Sequence, residues 1–296
     1  MRLDPLRLSI LACSIPAALA VLAVAQEPEE SEVRTRQLWD NTLKEKRPSA
    51  PKSATPKAVE PVKAPAQGQV QGALVGVTIW RLRPSVAADA PSVRALIQED
   101  DNNAAKREFT PERVSSETPL LEGQKVRITV EAADAGFLYI IDRDEYSDGA
   151  KSEPFLIFPT TRTRGGDNRV SAGMTVEIPA QEDNPNYFTV SRTKPNQVSE
   201  SLWMLITPKK IEGLQIGRQR LRLREDQLAA WEKLSKSKVF KLESPDQAGK
   251  AYTEVEKLAA IGTRALTHDD PVPQTLYRVE SKPGDMIMVQ VPLKIK

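Results

Sequence analysis

Residues 125–141 read KVRITVEAADAGFLYII, and this stretch decides the fold class of the chain. Val126, Ile128 and Val130 alternate with polar residues, which is typical of a strand with one buried face. The turn signal DAG at 134–136 separates this run from the nearly continuous apolar residues 137–141. The stretch therefore predicts two short strands joined by a turn.

Similar short segments lie on both sides, and they predict strands over 75–79, 155–158, 187–190 and 202–207. The final strands are predicted over 275–295, and the last of them is the clearest. In it Ile287, Val289 and Val291 alternate with Met288, Gln290 and Pro292. The proline indicates an edge or a bulge. The glycine-rich turn RGGDN at 164–168 predicts a hairpin over 160–178.

Two helices interrupt the strand pattern near the C-terminus. Leu228, Trp231 and Leu234 recur at helical spacing and predict a helix over 225–236. Ser244 as N-cap and Gly262 as a stop predict a second helix over 245–261. The expected fold is mainly β with two C-terminal helices and an antiparallel β-sandwich or barrel-like core.

The N-terminus predicts export. Basic residues precede an apolar run that ends in AVA at 23–25, so residues 1–25 are predicted to be a signal peptide and the protein periplasmic or secreted. Retention as an uncleaved anchor stays open, whereas lipidation at Cys13 is disfavoured because it leaves an apolar run on the product. Cleavage after Ala25 removes the single cysteine, which excludes disulfides and thiolate chemistry.

Residues 46–72 contain five prolines, several lysines and few large apolar side chains, and they predict a disordered linker. It separates an N-terminal arm at 26–45 from a β-rich domain at 73–296. In the arm, Leu38, Trp39 and Leu43 predict one apolar stripe on a short helix. This stripe is a candidate partner-docking peptide, and the alternative is a mostly disordered arm.

Several segments of the strand series resemble a known bacterial family. They are LEGQKVR (121–127), GFLY (136–139), LIFP (156–159), AG (172–173) and IP (178–179). Their order and spacing over residues 118–207 resemble the domain of unknown function 4384, and the flanks VTIWRLR (77–83) and PQTLYRV (273–279) resemble its extended, exported form. The resemblance implies a compact, non-catalytic β domain of envelope or signalling proteins. It implies no functional residues, and the kinase or peptidase motifs often joined to the family are absent from this sequence.

The residues that usually carry catalysis are scarce. The single histidine, His268, precedes Asp269 and Asp270, but neighbours in an extended segment point apart and no Gly-x-Ser-x-Gly motif supplies a nucleophile. We therefore expect no enzyme. A carboxylate-dependent hydrolase that uses Glu145 and Asp148 is the less favoured alternative, because such chemistry needs only two suitably separated acids.

Three clusters are candidate binding sites. Asp142, Asp144, Glu145 and Asp148 form an acidic stretch that is a weak calcium candidate, with a solvated loop as the alternative. Arg162, Arg164 and Arg169 are candidates for binding an anionic envelope polymer, with a charged turn that serves solubility as the alternative. Tyr139, Phe155 and Tyr187 are candidates for lining a ligand pocket, with a core role as the alternative.

Together these observations predict a non-catalytic, exported structural or interaction domain of the bacterial cell envelope that binds a protein or an envelope polymer. The alternative is a sensory module that binds a small molecule or glycan. No metal or cofactor is expected. A formal net charge of +2 does not favour a nucleic-acid partner. No membrane span is expected after signal cleavage, and the oligomeric state is left open.

Overall fold

The computed structural model describes residues 40–49, 72–97, 107–235 and 237–296. The predicted signal peptide, Cys13, Leu38, Trp39 and residues 50–71 of the predicted linker lie outside the described residues. No helix in the described ranges is both long enough and apolar enough to cross a membrane.

The described residues form fourteen strands and three α-helices. The strands are β1 Gly72–Pro84, β2 Ala95–Ile97, β3 Arg107–Val114, β4 Lys125–Ala132, β5 Gly136–Tyr146, β6 Phe155–Phe158, β7 Arg169–Val170, β8 Thr175–Ile178, β9 Phe188–Thr189, β10 Gln197–Thr207, β11 Leu221–Arg222, β12 Val239–Glu243, β13 Thr275–Glu280 and β14 Ile287–Lys294. The helices are α1 (40–46), α2 Glu225–Leu234 and α3 Glu254–Ala260.

The strands build two antiparallel sheets, which confirms the predicted mainly β, antiparallel fold. In the first sheet β1 pairs with β4 along one edge, and along the other edge it pairs first with β13 and then with β3. In the second sheet the order is β11-β6-β5-β10-β14, with β7 beside β5. Neither sheet closes on itself, so the fold is a sandwich and not a barrel. The strand β14, which contains Pro292, lies at a sheet edge as predicted.

The core fills the space between the two sheets. Alternate residues of β1, β4 and β8 in the first sheet meet alternate residues of β5, β10 and β14 in the second. Each fully buried aliphatic side chain contributes about 1.5–3 kcal/mol relative to exposure. The period of two read from the sequence therefore reports which residues face the opposite sheet.

The stretch 125–141 joins the two sheets, because β4 belongs to the first and β5 to the second. Gly136, at the start of β5, has no room for a side chain: a Cβ would lie 2.7 Å from the carbonyl oxygen of Thr207. The turn before it is held by the Ala133 amide, which donates to the carbonyl of Leu74 at 3.0 Å. The predicted turn thus carries the chain from one layer to the other.

Helix α2, which confirms the helix predicted over 225–236, covers the outer face of the second sheet. Leu228 and Trp231 pack against Tyr139, Ile141 and neighbouring apolar residues. Leu234, the third member of the predicted stripe, is 71% exposed and does not belong to this core.

The predicted helix over 245–261 is wrong in its first half. Pro245–Gln247 form only a 3-10 turn, and Ser244 makes no side-chain cap. The chain at 250–252 instead runs along β3, and the amides of Gly249 and Tyr252 donate to carbonyls of that strand. Helix α3 begins after Thr253, which forms a capping box with Glu256. In this part of the chain, hydrogen bonds to the sheet form in place of the predicted helix.

The predicted hairpin over 160–178 is also wrong, although its turn exists. Gly165 and Gly166 have φ values of 59° and 87°, as the turn requires. Beyond the turn, however, β7 pairs with β5 and β8 pairs with β4 of the other sheet. This segment therefore crosses between the layers and does not fold back on itself.

Residues 40–49, named the docked segment here, pack on the first sheet. Leu43 is fully buried against Leu74, Ala133 and Leu276. It does not offer an apolar surface to a partner, so its predicted docking role is replaced by packing within the domain. The reason is that the sheet leaves an apolar patch beside β13 which this side chain covers.

Arg47 fixes the same segment by a buried ion pair. Its guanidinium group binds both carboxylate oxygens of Glu131, at 2.7 and 2.8 Å, and the two side chains are 1% and 3% exposed. The prediction that the linker begins at residue 46 is therefore wrong for residues 46–49, which are part of the folded domain.

Candidate functional site

The acidic stretch 142–148 is mostly strand, because β5 continues to Tyr146. Alternation places Asp142 and Asp144 on the face between the sheets and Glu145 on the opposite face. Asp148 lies in the following turn, where its carboxylate accepts the Ala150 amide at 3.0 Å. The four side chains thus do not form the calcium site considered from the sequence. Among the described residues no group of three or more acidic, histidine or cysteine side chains is arranged to hold a metal ion.

The proposed pair Glu145 and Asp148 does not share a cavity either. Glu145 accepts hydrogen bonds from Ser199 at 3.1 Å and Ser201 at 2.7 Å, and Lys151 lies 3.3 Å away. Asp148 is exposed. The structure therefore gives no support to a hydrolase built on these two acids.

A cleft opens where the two sheets part at one end of the sandwich. Its floor consists of core residues from both sheets, Val126 and Ile128 from the first and Leu202 and Leu293 from the second. The cavity volume is about 510 Å³, within the range of pockets that take small ligands. Its walls come from the connections around 160–163, 179–193 and 218–220. We call this space the inter-sheet cleft.

Three carboxyl groups line the inter-sheet cleft: Asp142, Asp144 and Glu200. Glu200 lies directly opposite Asp144 in the register of β10 and β5. Asp144 is well supported, since it accepts the Thr193 hydroxyl at 2.6 Å and the Gln197 amide at 3.0 Å. One oxygen of Asp142 is buried and has no hydrogen-bond partner in the described part of the chain.

The surroundings of Glu200 and Asp142 give the two carboxyl groups different pKa values. Burial, reinforced by the charges of Asp142 and Asp144, raises the pKa of Glu200 to about 8. Burial and the charge of Asp144 raise the pKa of Asp142 to about 6. At neutral pH Glu200 is therefore mostly protonated and can donate a hydrogen bond, whereas Asp142 is mostly ionised and accepts them.

Aromatic rings and guanidinium groups complete the inter-sheet cleft. Phe188 is half-buried on its wall, and Tyr187 also lines the cavity but packs with the apolar residues of a separate cluster. Arg162 is exposed on the rim and donates to the carbonyl of Asn184 at 2.8 Å. Arg218 and Arg220 are exposed on the same rim.

The structure divides the three predicted arginines. Arg162 lines the inter-sheet cleft, but Arg164 and Arg169 line a separate cavity beside β7. Arg169 is also paired with Asp167 at 2.9 Å. The three guanidinium groups therefore do not act as one site.

The predicted aromatic set is divided as well. Tyr139 is buried on the outer face of the second sheet, where its hydroxyl accepts the Ile211 amide at 2.8 Å. Phe155 lies in β6, between β11 and β5, and the guanidinium carbon of Arg220 is 4.0 Å from the centre of its ring. Only Tyr187 lines the inter-sheet cleft.

His268 has a structural contact in place of a catalytic one. Its Nε2 atom lies 3.2 Å from the carbonyl oxygen of Arg47. The carboxylate of Asp270 is engaged elsewhere, accepting the Thr267 amide at 2.6 Å and the Arg264 guanidinium at 2.9 Å. Asp270 is thus not free to orient the histidine.

Sequence reasoning missed Glu200, Phe188, Arg218 and Arg220. A signal for Glu200 was present, because it has the same parity along its strand as the inward-facing Leu202 and Met204. Charged residues in phase with core residues indicate an end of the sandwich that is open or occupied by a ligand.

Comparisons with family models, curated proteins and solved structures find no match to this chain. The resemblance to the domain of unknown function 4384 stays a prediction.

Proposed function

We propose that this chain is a non-catalytic, exported interaction domain of the bacterial cell envelope, and that it binds a glycan in the inter-sheet cleft. One observation carries the proposal: a cavity of about 510 Å³ combines carboxyl groups, guanidinium groups and aromatic rings on its walls. The predicted signal peptide supports a location where envelope glycans are met.

The chemistry of sugars explains why this combination favours a glycan. Each hydroxyl group both donates and accepts hydrogen bonds, so it suits a wall that offers both kinds of partner. Asp142 and Asp144 accept, while Arg162 and protonated Glu200 donate. The exposed part of the Phe188 ring offers an apolar surface for the C–H face of a sugar ring.

A glycan array probed with the mature protein tests the proposal, followed by calorimetric titration of the best glycans. Phe188→Ala and Asp142→Asn are expected to weaken binding at least tenfold. Phe240→Ala is the matched control, because Phe240 is also a half-buried aromatic but packs with the docked segment's cluster. The absence of any glycan binding tighter than about 1 mM, or equal loss in the control, would contradict the proposal.

The second candidate is a carboxylate-dependent hydrolase that uses the cleft acids. It is favoured by the unequal pKa values of Glu200, about 8, and Asp142, about 6. A protonated acid near an ionised carboxylate is the arrangement that glycoside hydrolysis requires. Prolonged incubation with the bound glycan distinguishes the two candidates: new reducing ends that vanish in Glu200→Gln would make the protein an enzyme and the non-catalytic proposal wrong.

A further inference from the structure

Basic residues are concentrated in one segment that borders the inter-sheet cleft. Residues 209–224 read KKIEGLQIGRQRLRLR, with six basic residues and one acidic residue, although the whole chain has a formal net charge of only +2. Four of these residues, Arg218, Arg220, Arg222 and Arg224, occupy every second position. We call them the arginine strip.

The local structure keeps most of the arginine strip on one side of the chain. Leu221 and Leu223 pack into the cluster beneath α2. The intervening arginines therefore point away from that cluster. The side chains of Arg222 and Arg224 are 66% and 77% exposed. In extended chain, every second residue is separated by roughly 7 Å.

The position of the strip makes it a continuation of the cleft. Among the described strands, β11 pairs with β6 alone and forms the edge of the second sheet. Arg218 and Arg220 line the rim of the inter-sheet cleft, and Arg222 and Arg224 follow along the sheet edge towards α2. A polymer that leaves the cleft in this direction meets these guanidinium groups in succession.

The existing partners of the strip are weak competitors. Arg222 pairs with Glu153, and Arg224 pairs with Asp226 at 2.9 Å, but all four side chains are about half exposed or more. Exposed ion pairs of this kind are screened by water and salt and exchange readily. An acidic ligand can therefore replace them.

We infer that the arginine strip binds the acidic groups of a polyanionic polysaccharide whose neighbouring sugar unit occupies the inter-sheet cleft. The inference rests on the proposed function for the choice of a glycan. Guanidinium groups bind carboxylates in a bidentate manner, which suits uronic acid units. A nucleic acid is the competing polyanion, but the hydrogen-bonding walls of the cleft suit the hydroxyl groups of a sugar unit.

The test compares three soluble probes by calorimetry at several salt concentrations: polygalacturonate as an acidic polysaccharide, dextran as a neutral one, and inorganic polyphosphate. The strip variant replaces Arg220, Arg222 and Arg224 with Gln. The control variant replaces the exposed Lys250, Lys282 and Lys296 with Gln and removes the same charge elsewhere. Thermal unfolding verifies that both variants fold.

Polygalacturonate is expected to bind at least tenfold more tightly than dextran, with a strong dependence on salt. The strip variant is expected to lose about tenfold in affinity for it and to show a weaker salt dependence, while the control variant loses little. Equal loss in both variants, or polyphosphate binding as tightly as polygalacturonate, would overturn the inference. If dextran binds as well as polygalacturonate, the strip inference fails but the proposed function stands. If Phe188→Ala leaves polygalacturonate binding unchanged, both the proposed function and this inference are wrong.

Discussion

Replacing Arg47 with Met should make the domain unfold far more readily, although this residue precedes the first strand by 25 positions. All five N–H groups of the guanidinium are used: two bind Glu131 and three bind the carbonyls of Thr267, Asp270 and Pro271 at 2.9–3.1 Å. The variant leaves a carboxylate that is only 3% exposed without its counter-charge. Breaking such a buried pair from one side costs about 3–5 kcal/mol.

Urea denaturation followed by circular dichroism measures this loss. A domain of this size shifts its melting temperature by about 2–4 °C for each kcal/mol, so Arg47→Met should lower it by roughly 10 °C. Lys46→Met is the matched control. Its ammonium group pairs with Asp134 at 3.0 Å, but the two side chains are 47% and 59% exposed. Exposed pairs contribute about 0–1 kcal/mol, so this variant should be nearly neutral.

A double variant separates the ion pair from a general loss of packing. Arg47→Met combined with Glu131→Gln removes the uncompensated charge, so it should be more stable than Arg47→Met alone. If Arg47→Met costs less than about 1 kcal/mol, or if it is no worse than Lys46→Met, then residues 40–49 are not an integral part of the fold.

Three further changes probe the packing and the cleft. Leu43→Ala should lower the free energy of unfolding by about 2–5 kcal/mol in urea denaturation, because the side chain is fully buried. A loss below 1 kcal/mol would contradict the packing of the docked segment on the sheet. Gly76→Ala should cost about 1–3 kcal/mol or more, since the added Cβ would overlap the ring of Pro273, and an unchanged melting temperature would refute this contact. Burial raises the pKa of Glu200 to about 8, so the unfolded chain loses this proton at lower pH than the folded one. The free energy of unfolding should therefore be greatest at acidic pH and fall as the pH rises to 8. Asp142, whose pKa is raised to about 6, should add to this fall up to about pH 6. Glu200→Gln should reduce this slope between pH 5 and pH 9, and an identical slope in the variant would refute the raised pKa.

The sequence predicted the layers of the fold better than their connections. The alternation in 126–131 and 287–293 is set by burial of one strand face, a local property that a single sequence displays. The destination of a segment after a turn is not local. The turn at 164–168 was recognised, but β7 joins β5 and β8 joins β4 because of backbone partners far away in the chain. For the same reason the helix predicted from Ser244 does not form over its first half, where the backbone pairs with β3.

The candidate site was predicted only in part. Asp142, Asp144, Arg162 and Tyr187 were singled out, but they were assigned to three different clusters. Proximity along the chain grouped Asp142 with Glu145, although strand alternation places them on opposite faces. Parity within a strand reveals which residues point inward, but it does not reveal at which end the two sheets part. That separation is a property of the packed sandwich, whereas the pairing of β10 with β5 is what brings Glu200 next to the other two acids.

Chemical-shift mapping by NMR, during titration with the strongest glycan found on the array, tests the central claim most directly. We expect the largest amide perturbations at residues 142, 144, 187, 188 and 200, all of which line the inter-sheet cleft. Perturbations confined to the outer face of the second sheet, around Tyr139 and α2, would show that the glycan binds elsewhere and would contradict the proposed site.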